Sequence, residues 1–372
     1  MRIFSALLIT STLLSVSNAF ACPTNLATSR IRVTASLTLC QAYDRYASAL
    51  QHLQAEGISE PRRIGNLMAP RFINLPDWNA KRTIAPTSAT SIYAPAPVTW
   101  VDWEAGAQII DERARKNLGS HSFTPLVIDD LLRLHRSALK DVLVDAGHLR
   151  KSLEVGRMIS KASSMTESQV QGVLSLPYLN ATTAGKLVAY KPVDCLQDQS
   201  AEFQKRFSDD YTAGRLMNIR AWSEIDSRKF YDDGKGQKRQ CGFIQYAAVE
   251  EVQPQLDRWL ETVNSATQSW NANGISGDPI ALAAMAQQWL VSIHPFTDGN
   301  GRTSRFAMDL ILESLGLPAP VLAEMNDDLY STPQQWRAAV GNGIERAVFA
   351  AESCARAKSG LGCAEIKSGA AR

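Results

Sequence analysis

The chain has 372 residues, 45% of them hydrophobic, so it is long enough to bury one substantial core and a smaller appendage. Its 39 basic and 37 acidic side chains leave a formal net charge of +2, too small to steer the whole protein to nucleic acid or to an acidic membrane surface. We therefore expect a globular protein that binds no nucleic acid and attracts its substrate through local charges.

The N-terminus carries the pattern of a secretory signal peptide. A basic start, an apolar run over residues 3–16 and the small-residue end Ala19-Phe20-Ala21 predict cleavage after residue 21. A membrane anchor is the alternative, but the run is shorter than the roughly 18 apolar residues that a span needs. Lipidation at Cys22 is a second alternative, for which Phe20 fits the cleavage site poorly. We expect residues 1–21 to be removed and the protein to be exported, periplasmic or secreted, without stable membrane insertion.

Six cysteines follow the predicted cleavage site. In an oxidising compartment an even number suggests disulfide bonds, although many connectivities are open. The alternative is that several are buried free thiols, and none has the close spacing of a zinc site. Sequence order favours three local pairs: Cys22 with Cys40, Cys195 with Cys241, and Cys354 with Cys363.

Residues 22–99 are predicted to form an N-terminal helix followed by a Pro-rich arm. The helix is expected over 41–56, ending before Gly57, because apolar side chains recur there at helical spacing: Tyr43, Tyr46, Leu50 and Leu53. The stretch 70–97 is rich in Pro, Ala, Ser and Thr and has little periodicity, which is typical of an extended arm or linker.

Helical patterns dominate the main domain, residues 100–355, which a C-terminal tail over 356–372 follows. Thr124-Pro125 predicts a helix start ahead of one apolar face: Leu131, Leu134, His135 and Leu139. Helices are also expected over 252–263, over 280–293 after the Asp278-Pro279 cap, and over 302–315 before Gly316. Residues 151–245 mix β-prone pieces with turns and predict loops and a hairpin. The fold class is therefore mainly α.

The segment between the last two of these helices carries residue types suited to nucleotide chemistry. It runs His294-Pro295-Phe296-Thr297-Asp298-Gly299-Asn300-Gly301-Arg302-Thr303-Ser304-Arg305. Its Gly-Asn-Gly turn leads into a helix N-terminus, whose N–H groups and dipole favour phosphate. Arg302 and Arg305 lie on one side of that helix, where guanidinium groups can hold phosphate oxygens. We predict that Gly299, Asn300, Gly301, Arg302 and Arg305 bind the nucleotide.

His294 and Asp298 are the candidate chemical groups. Histidine has an ordinary pKa near neutrality, so His294 is predicted to be the general base that takes a proton from an attacking hydroxyl. Asp298 offers a hard oxygen ligand for Mg²⁺ beside the phosphates. Pro295 and Phe296 are predicted to be structural, as a rigid turn and an aromatic anchor. The remaining histidines are expected to be structural or surface residues: His52, His121, His135 and His148.

The segment resembles the signature of the Fic family, H-P-F-x-[D/E]-G-N-G-R-x-x-R, with every defined position filled. A weaker resemblance covers the helix around 131–139 and the segment 146–150, which is similar to the family's G-x-x-R. The resemblance implies a Fic-type helical bundle with a small β-hairpin flap and an N-terminal arm. It also implies a protein adenylyltransferase (AMPylase) that uses ATP as co-substrate and Mg²⁺ as cofactor. Its partner is then a protein that presents a Tyr, Thr or Ser hydroxyl.

Two features depart from the family. Its inhibitory pattern [S/T]-x-x-x-E-[G/N] has no full match, and the degenerate candidate is Ser163 to Glu167. The region around 155–245 is long and reads as an insertion, which we consider a candidate for target recognition. The flap lies either in this insertion or at Lys238 to Gln245, and the sequence does not choose between the two.

Three alternatives stay open beside AMP transfer. Relatives of the family also transfer UMP or phosphocholine, and the chain could be a secreted nucleotide-binding protein without transferase activity. An exported enzyme meets little ATP in a periplasm, so we favour an effector that is delivered into another cell over a resident enzyme with a different donor. No second motif of comparable quality occurs, because the chain lacks G-x-x-x-x-G-K-[ST], G-x-S-x-G and H-E-x-x-H.

Overall fold

The computed structural model describes residues 22–27, 29–55, 97–139, 143–151, 155–158, 165–169, 172, 189–193, 231–232, 236, 238–271, 274–322 and 327–356. The helices are α1 (Thr24–Ala27), α2 (Leu39–Ala55), α3 (Pro97–Ser120), α4 (Ile128–Leu139), α5 (Val249–Gln268), α6 (Pro279–Ile293), α7 (Asn300–Glu313) and α8 (Pro333–Arg356). The strands are β1 (Val155–Met158), β2 (Met165–Thr166), β3 (Ala189–Val193), β4 (Tyr231–Asp232) and β5 (Lys238–Gln245). The protein is mainly α, as predicted.

Helices α6 and α7 form the centre of the bundle. They pack on each other, α6 also contacts α5 and α8, and α7 also contacts α3 and α4. The predicted cap of α6 is confirmed, because Asp278 Oδ1 accepts hydrogen bonds from the N–H groups of Ile280 (2.9 Å) and Ala281 (3.2 Å). A Cβ at Gly106 of α3 would lie 2.6 Å from the ring of Phe306, so glycine permits the close approach of α3 to α7.

The N-terminal segment is joined to this bundle. Helix α2 packs against α8, and Arg45 donates both Nε and Nη2 to the Glu352 carboxylate at 2.7 Å. Cys22 and Cys40 lie at disulfide-bonding distance, with their Cα atoms 5.5 Å apart, which is one of the three predicted pairs. The side chains of the other four cysteines and the predicted arm over residues 70–96 lie outside the described residues.

The start of α4 differs from the prediction. The helix begins at Ile128, three residues after Pro125, and the N–H of Val127 donates to Asp130 Oδ2 (2.9 Å). The reason is tertiary, because Asn264 on α5 accepts from the N–H of Leu126 (2.7 Å) and donates to its carbonyl (2.8 Å). These two bonds hold residue 126 in a non-helical conformation, so the helix starts only after it.

Strand β5 lies in the middle of an antiparallel sheet. Along its C-terminal half it pairs with β1, from Val155 opposite Gln245, and with β3, from Ala189 opposite Gln245. Along its N-terminal half it pairs with β2 and β4. The proposed target-docking flap at Lys238–Gln245 or in the insertion stays a prediction.

Among the described helices, none combines the length and apolar character needed to cross a membrane, and residues 1–21 lie outside this description.

Candidate functional site

The Fic-like segment occupies the turn between α6 and α7. His294 ends α6 in the left-handed conformation, with φ 52° and ψ 58°, and Gly299 precedes α7 with φ 74°. Asn300 braces the turn, since its Oδ1 accepts from the N–H of Phe296 (2.9 Å) and its Nδ2 donates to the carbonyl of Phe296 (2.8 Å). The Asn300 side chain is thus bonded within the loop, so the contact with phosphate predicted for this residue would be made by its backbone N–H.

His294 is half-buried and stacks on the ring of Tyr246, with centroids 3.7 Å apart and an interplanar angle of 13°. Its Nδ1 lies 3.2 Å from the carbonyl of Val291. A carbonyl only accepts, so Nδ1 carries the proton and Nε2 carries the lone pair. Burial, together with the nearby charge of Arg150, lowers the pKa of His294 to about 3, whereas the Val291 carbonyl opposes this shift. The ring is therefore neutral at pH 7 and able to accept a proton at Nε2.

Arg150 is the buried residue that holds His294 in place. Its Nε donates to the carbonyl of His294 (2.6 Å), and its Nη2 donates to the carbonyls of Ile293 (3.5 Å) and Ala247. Its own N–H donates to the carbonyl of Pro295 (2.9 Å). One guanidinium therefore joins the end of α6 to the segment 246–248 that carries Tyr246.

His135 supports the loop from the side of α4. Its Nδ1 accepts from the N–H of Gly147 (2.7 Å), so its Nε2 carries the proton and donates to the carbonyl of Asp298 (2.9 Å). Its ring stacks on the fully buried Phe296, with centroids 3.8 Å apart. Burial lowers the pKa of His135, although the bond to the Asp298 carbonyl and nearby Asp145 oppose this. His135 thus has a structural role, because it holds the loop through the carbonyl of Asp298 and the ring of Phe296.

The glycines open the N-terminus of α7. At Gly299 a Cβ would lie 2.0 Å from Leu139 Cδ1, and the positive φ is unfavourable for other residues, so only glycine fits without displacement. The first turn of an α-helix leaves N–H groups without intrahelical acceptors, which makes it an anion-binding site. Here those N–H groups belong to Asn300, Gly301 and Arg302.

The two arginines of the segment have different surroundings. Arg302 is half-buried, and its Nη1 donates to the carbonyl of Ala138 (3.3 Å). Arg305 is buried, and its Nη2 lies 3.5 Å from Oδ2 of Asp328. Its guanidinium reaches back to the first turn of α7, where a Cβ at Gly301 would lie 3.2 Å from Nη1. Both cations therefore lie at this turn, but Arg305 already has a buried carboxylate partner.

Asp298 fits a metal shared with a substrate. Its side chain is exposed, and its Oδ1 accepts from the N–H of Gly299 (2.6 Å) just before the anion-binding turn. In the part of the chain that the structure describes, the one group of three potential metal ligands is Cys22, Cys40 and Asp44, far from this loop in the sequence. A single carboxylate suits Mg²⁺, which takes its other ligands from substrate phosphates and water.

Sequence reasoning missed three contributors to the site. Tyr246 follows a strand and belongs to no motif, and Arg150 belongs only to the weaker resemblance over 146–150. Asp328 lies after α7 and shows no pattern that links it to Arg305. The degenerate inhibitory candidate gains no support, because Glu167 is exposed whereas Arg305 is buried beside Asp328, and Ser163 lies outside the described residues.

Comparisons with known proteins agree with the sequence motif. Residues 213–312 match the model of the Fic/DOC family. The protein adenylyltransferase fic-1 of Caenorhabditis elegans is 27% identical over 192 residues, which cover 50% of this chain and 32% of that protein. A uridine 5'-monophosphate transferase of Xanthomonas campestris is 37% identical over 86 residues, covering 23% of this chain and 15% of that protein.

The chain thus spans a third or less of the length of these curated relatives. Among solved structures, a Fic domain containing signaling protein from Bacteroides thetaiotaomicron aligns with 86% of this chain and 97% of its own, at 14% identity and a TM-score of 0.43. The segment 294–305 lies inside the range that matches the family model. Over residues 213–312 the chain is therefore similar to the Fic/DOC family.

Proposed function

We propose that the protein is a protein adenylyltransferase that moves AMP from ATP onto a Tyr, Thr or Ser hydroxyl of a target protein, with His294 as the general base. One observation carries the proposal. A neutral imidazole, with its lone pair on Nε2, ends α6 and is joined by residues 295–299 to the N-terminus of α7, an anion-binding turn. A base and a phosphate site are thus parts of one short segment.

The chemistry is a single in-line displacement. The target oxygen attacks the α-phosphorus, a new P–O bond forms, and the bond to the pyrophosphate oxygen breaks. The hydroxyl proton passes to His294 Nε2, which becomes an imidazolium. The negative charge of bound triphosphate raises the pKa of His294 from its low value and so makes Nε2 a stronger base once the nucleotide is present. Arg150 and Tyr246 keep the ring in position during this transfer.

The α7 turn binds the phosphates. The N–H groups of Asn300 and Gly301 and the side chains of Arg302 and Arg305 offer donors and positive charge where pyrophosphate develops. Asp298 would hold Mg²⁺, which neutralises phosphate charge when bound. Asn300 preorganises this turn, because its side chain closes the loop on Phe296.

The names of the relatives support nucleotidyl transfer. The identity of the donor nucleotide is the finer part of this proposal. The Caenorhabditis relative is called a protein adenylyltransferase, and the Xanthomonas relative is called a uridine 5'-monophosphate transferase. UMP transfer is therefore the second candidate function. Both reactions use the same base and phosphate site, so the donor depends on the pocket for the nucleobase.

Labelled nucleotides test this proposal. Purified mature chain and His294→Ala are incubated with Mg²⁺, a mixed cell lysate and ATP labelled on the α-phosphate, and parallel reactions contain α-labelled UTP. We expect label on protein bands only with intact His294 and only from ATP. Labelling from UTP alone would support UMP transfer, and binding of ATP without labelling from any donor would contradict a transferase.

We also propose that the protein is exported. The signal-like residues 1–21 and the proximity of Cys22 to Cys40 support this, since disulfides persist in oxidising compartments. Scarce extracellular ATP favours delivery of the protein into another cell. Fractionation of producing cells, with mass determination of the mature N-terminus and the Cys22–Cys40 bond, tests this. Full-length, reduced protein confined to the cytoplasm would contradict it.

A further inference from the structure

The second arginine of the segment depends on a carboxylate outside it. Arg305 and Asp328 are both nearly inaccessible, with side-chain exposures of 7% and 4%, and Nη2 lies 3.5 Å from Oδ2. Asp328 belongs to a 3₁₀ turn, Asp327–Leu329, that follows α7 in the chain. A buried guanidinium needs such a partner, because an unpaired buried charge is strongly destabilising.

Asp328 is itself rigidly held. Its Oδ1 accepts from the N–H of Leu329 (2.8 Å), and its Oδ2 accepts from Nε2 of Gln287 (2.6 Å). The backbone of the turn is bound to α6 as well, because Gln288 Nε2 donates to the carbonyls of Asp328 (2.6 Å) and Ser331 (3.1 Å). Two consecutive glutamines of the central helix therefore hold this residue, Gln287 through its carboxylate and Gln288 through the backbone of its turn.

This fixed carboxylate determines where the guanidinium of Arg305 lies. Its Nη2 edge faces Asp328, while its Nη1 edge lies against Gly301, where a Cβ would approach to 3.2 Å. Gly301 is in the first turn of α7, the turn proposed to bind phosphate. The guanidinium group thus bridges from the buried carboxylate to the first turn of α7.

We propose that Asp328 is a positioning residue that holds the Arg305 guanidinium against the first turn of α7, ready for the phosphates of the nucleotide. This role rests on the proposed function in that the ligand is a nucleoside triphosphate. A long arginine side chain loses conformational entropy when it is ordered, and Asp328 lowers that loss on binding by ordering Arg305 beforehand. If Asp328 were merely structural, its replacement would lower the stability of the fold, and any effect on ATP binding would not depend on Arg305.

The test measures ATP binding to the full chain by calorimetry. We expect Asp328→Asn to weaken ATP binding about tenfold, because it removes the charge that holds Arg305. The matched control is Asp278→Asn at the opposite end of α6, where Asp278 also pairs with an arginine, Arg337, at 2.9 Å and also accepts from backbone N–H groups. This control should lower the thermal midpoint of unfolding and leave the Kd for ATP within about twofold.

A double-mutant cycle separates positioning from structure. If Asp328 acts through Arg305, the Kd for ATP of R305Q/D328N equals that of R305Q within about twofold. If D328N proves too unstable, Gln287→Met removes one donor to the carboxylate without leaving an unpaired charge, and we expect about threefold weaker binding. That smaller loss should likewise vanish in the R305Q background.

Three results would overturn this role. D328N could bind ATP as tightly as the parent chain. It could bind ATP more tightly, which would mean that Asp328 withholds Arg305 from the phosphates. It could also weaken binding equally in the R305Q background, which would make Asp328 structural only. A parent chain that binds no ATP would contradict the proposed function itself, and it is recognised before any variant is compared.

Discussion

Arg150 Nε donates to the backbone carbonyl of His294 at 2.6 Å, so the residue that precedes the insertion fixes the orientation of the proposed base. The same guanidinium bonds the carbonyl of Ala247, next to Tyr246, whose ring stacks on His294. The position of the imidazole therefore depends on two segments that are separated by residues 151–245. Proton transfer depends on this arrangement, because a base must lie within hydrogen-bond reach of the proton it takes.

Arg150→Met should lower kcat far more than it weakens ATP binding. The substitution keeps most of the apolar stem and removes the donors to residues 293, 294 and 247, so His294 loses its fixed orientation. We expect a loss of about a hundredfold in kcat, as for other misplaced catalytic groups. Transfer kinetics and ATP calorimetry check this. The exposed Arg133 supplies the matched control R133M, and equal losses in both variants would contradict the role of Arg150.

The acid limb of the kcat/KM pH profile should lie at a pH below the ordinary pKa of histidine. Burial lowers the pKa of His294 to about 3, so the free enzyme keeps a neutral base as the pH falls below ~6.5. We expect kcat/KM to hold its plateau below pH 6, and kcat to fall at a higher pH because bound phosphates raise the pKa of the ring. A kcat/KM limb at or above pH 6.5 contradicts this environment for His294.

Stability should decrease as the pH is lowered from neutral. His294 and His135 both have lowered pKa values in the folded state, mainly through burial, so the unfolded chain binds more protons below pH ~6.5. Their contribution is complete above the unfolded pKa and is lost as the pH falls toward the folded value. Thermal unfolding between pH 7 and 4 measures this, and His135→Gln should flatten the slope. A midpoint for H135Q that falls as steeply as in the parent would show that His135 does not contribute.

Gly299→Ala should destabilise the protein and abolish ATP binding. The methyl group would meet Leu139 Cδ1 at 2.0 Å, and alanine is strained at φ 74°. Gly277 is the matched control, since it has φ 75° and a Cβ there meets nothing within 4 Å. We expect G277A to cost about 1 kcal/mol from backbone strain alone and G299A to cost ~2–4 kcal/mol. Denaturant unfolding measures both, and equal losses would mean that the Leu139 contact is relieved without cost.

Removal of the Cys22–Cys40 pair should lower stability and leave the site intact. The two residues are 18 apart in sequence, so an oxidised pair constrains a short loop of the unfolded chain and contributes roughly 3 kcal/mol. The double variant Cys22→Ser, Cys40→Ser should unfold at a lower temperature, and a reducing agent should lower only the parent's midpoint. ATP affinity serves as the control. A parent midpoint that does not respond to reduction would show that these thiols are not bonded.

Local signals were sufficient for the helices with strong caps. The Asp278-Pro279 pair predicted the start of α6, and the observed side-chain cap is made with residues two and three positions away. The start of α4 was wrong by three residues because the deciding partner, Asn264, lies on another helix. Sequence patterns report bonds within a turn, and they carry no information on a partner more than a hundred residues away.

By itself, the sequence determined the mainly helical fold, the turn between α6 and α7 and the identity of the residues 294–305, because these follow from local spacing and one contiguous motif. Tertiary structure alone decided how those residues are held. Tyr246 stacks on His294, His135 supports the carbonyl of Asp298, and Asp328 pairs with Arg305. Each of these contacts joins segments that are distant in the chain. Packing around a buried core brings such segments together, and local sequence patterns do not predict these contacts.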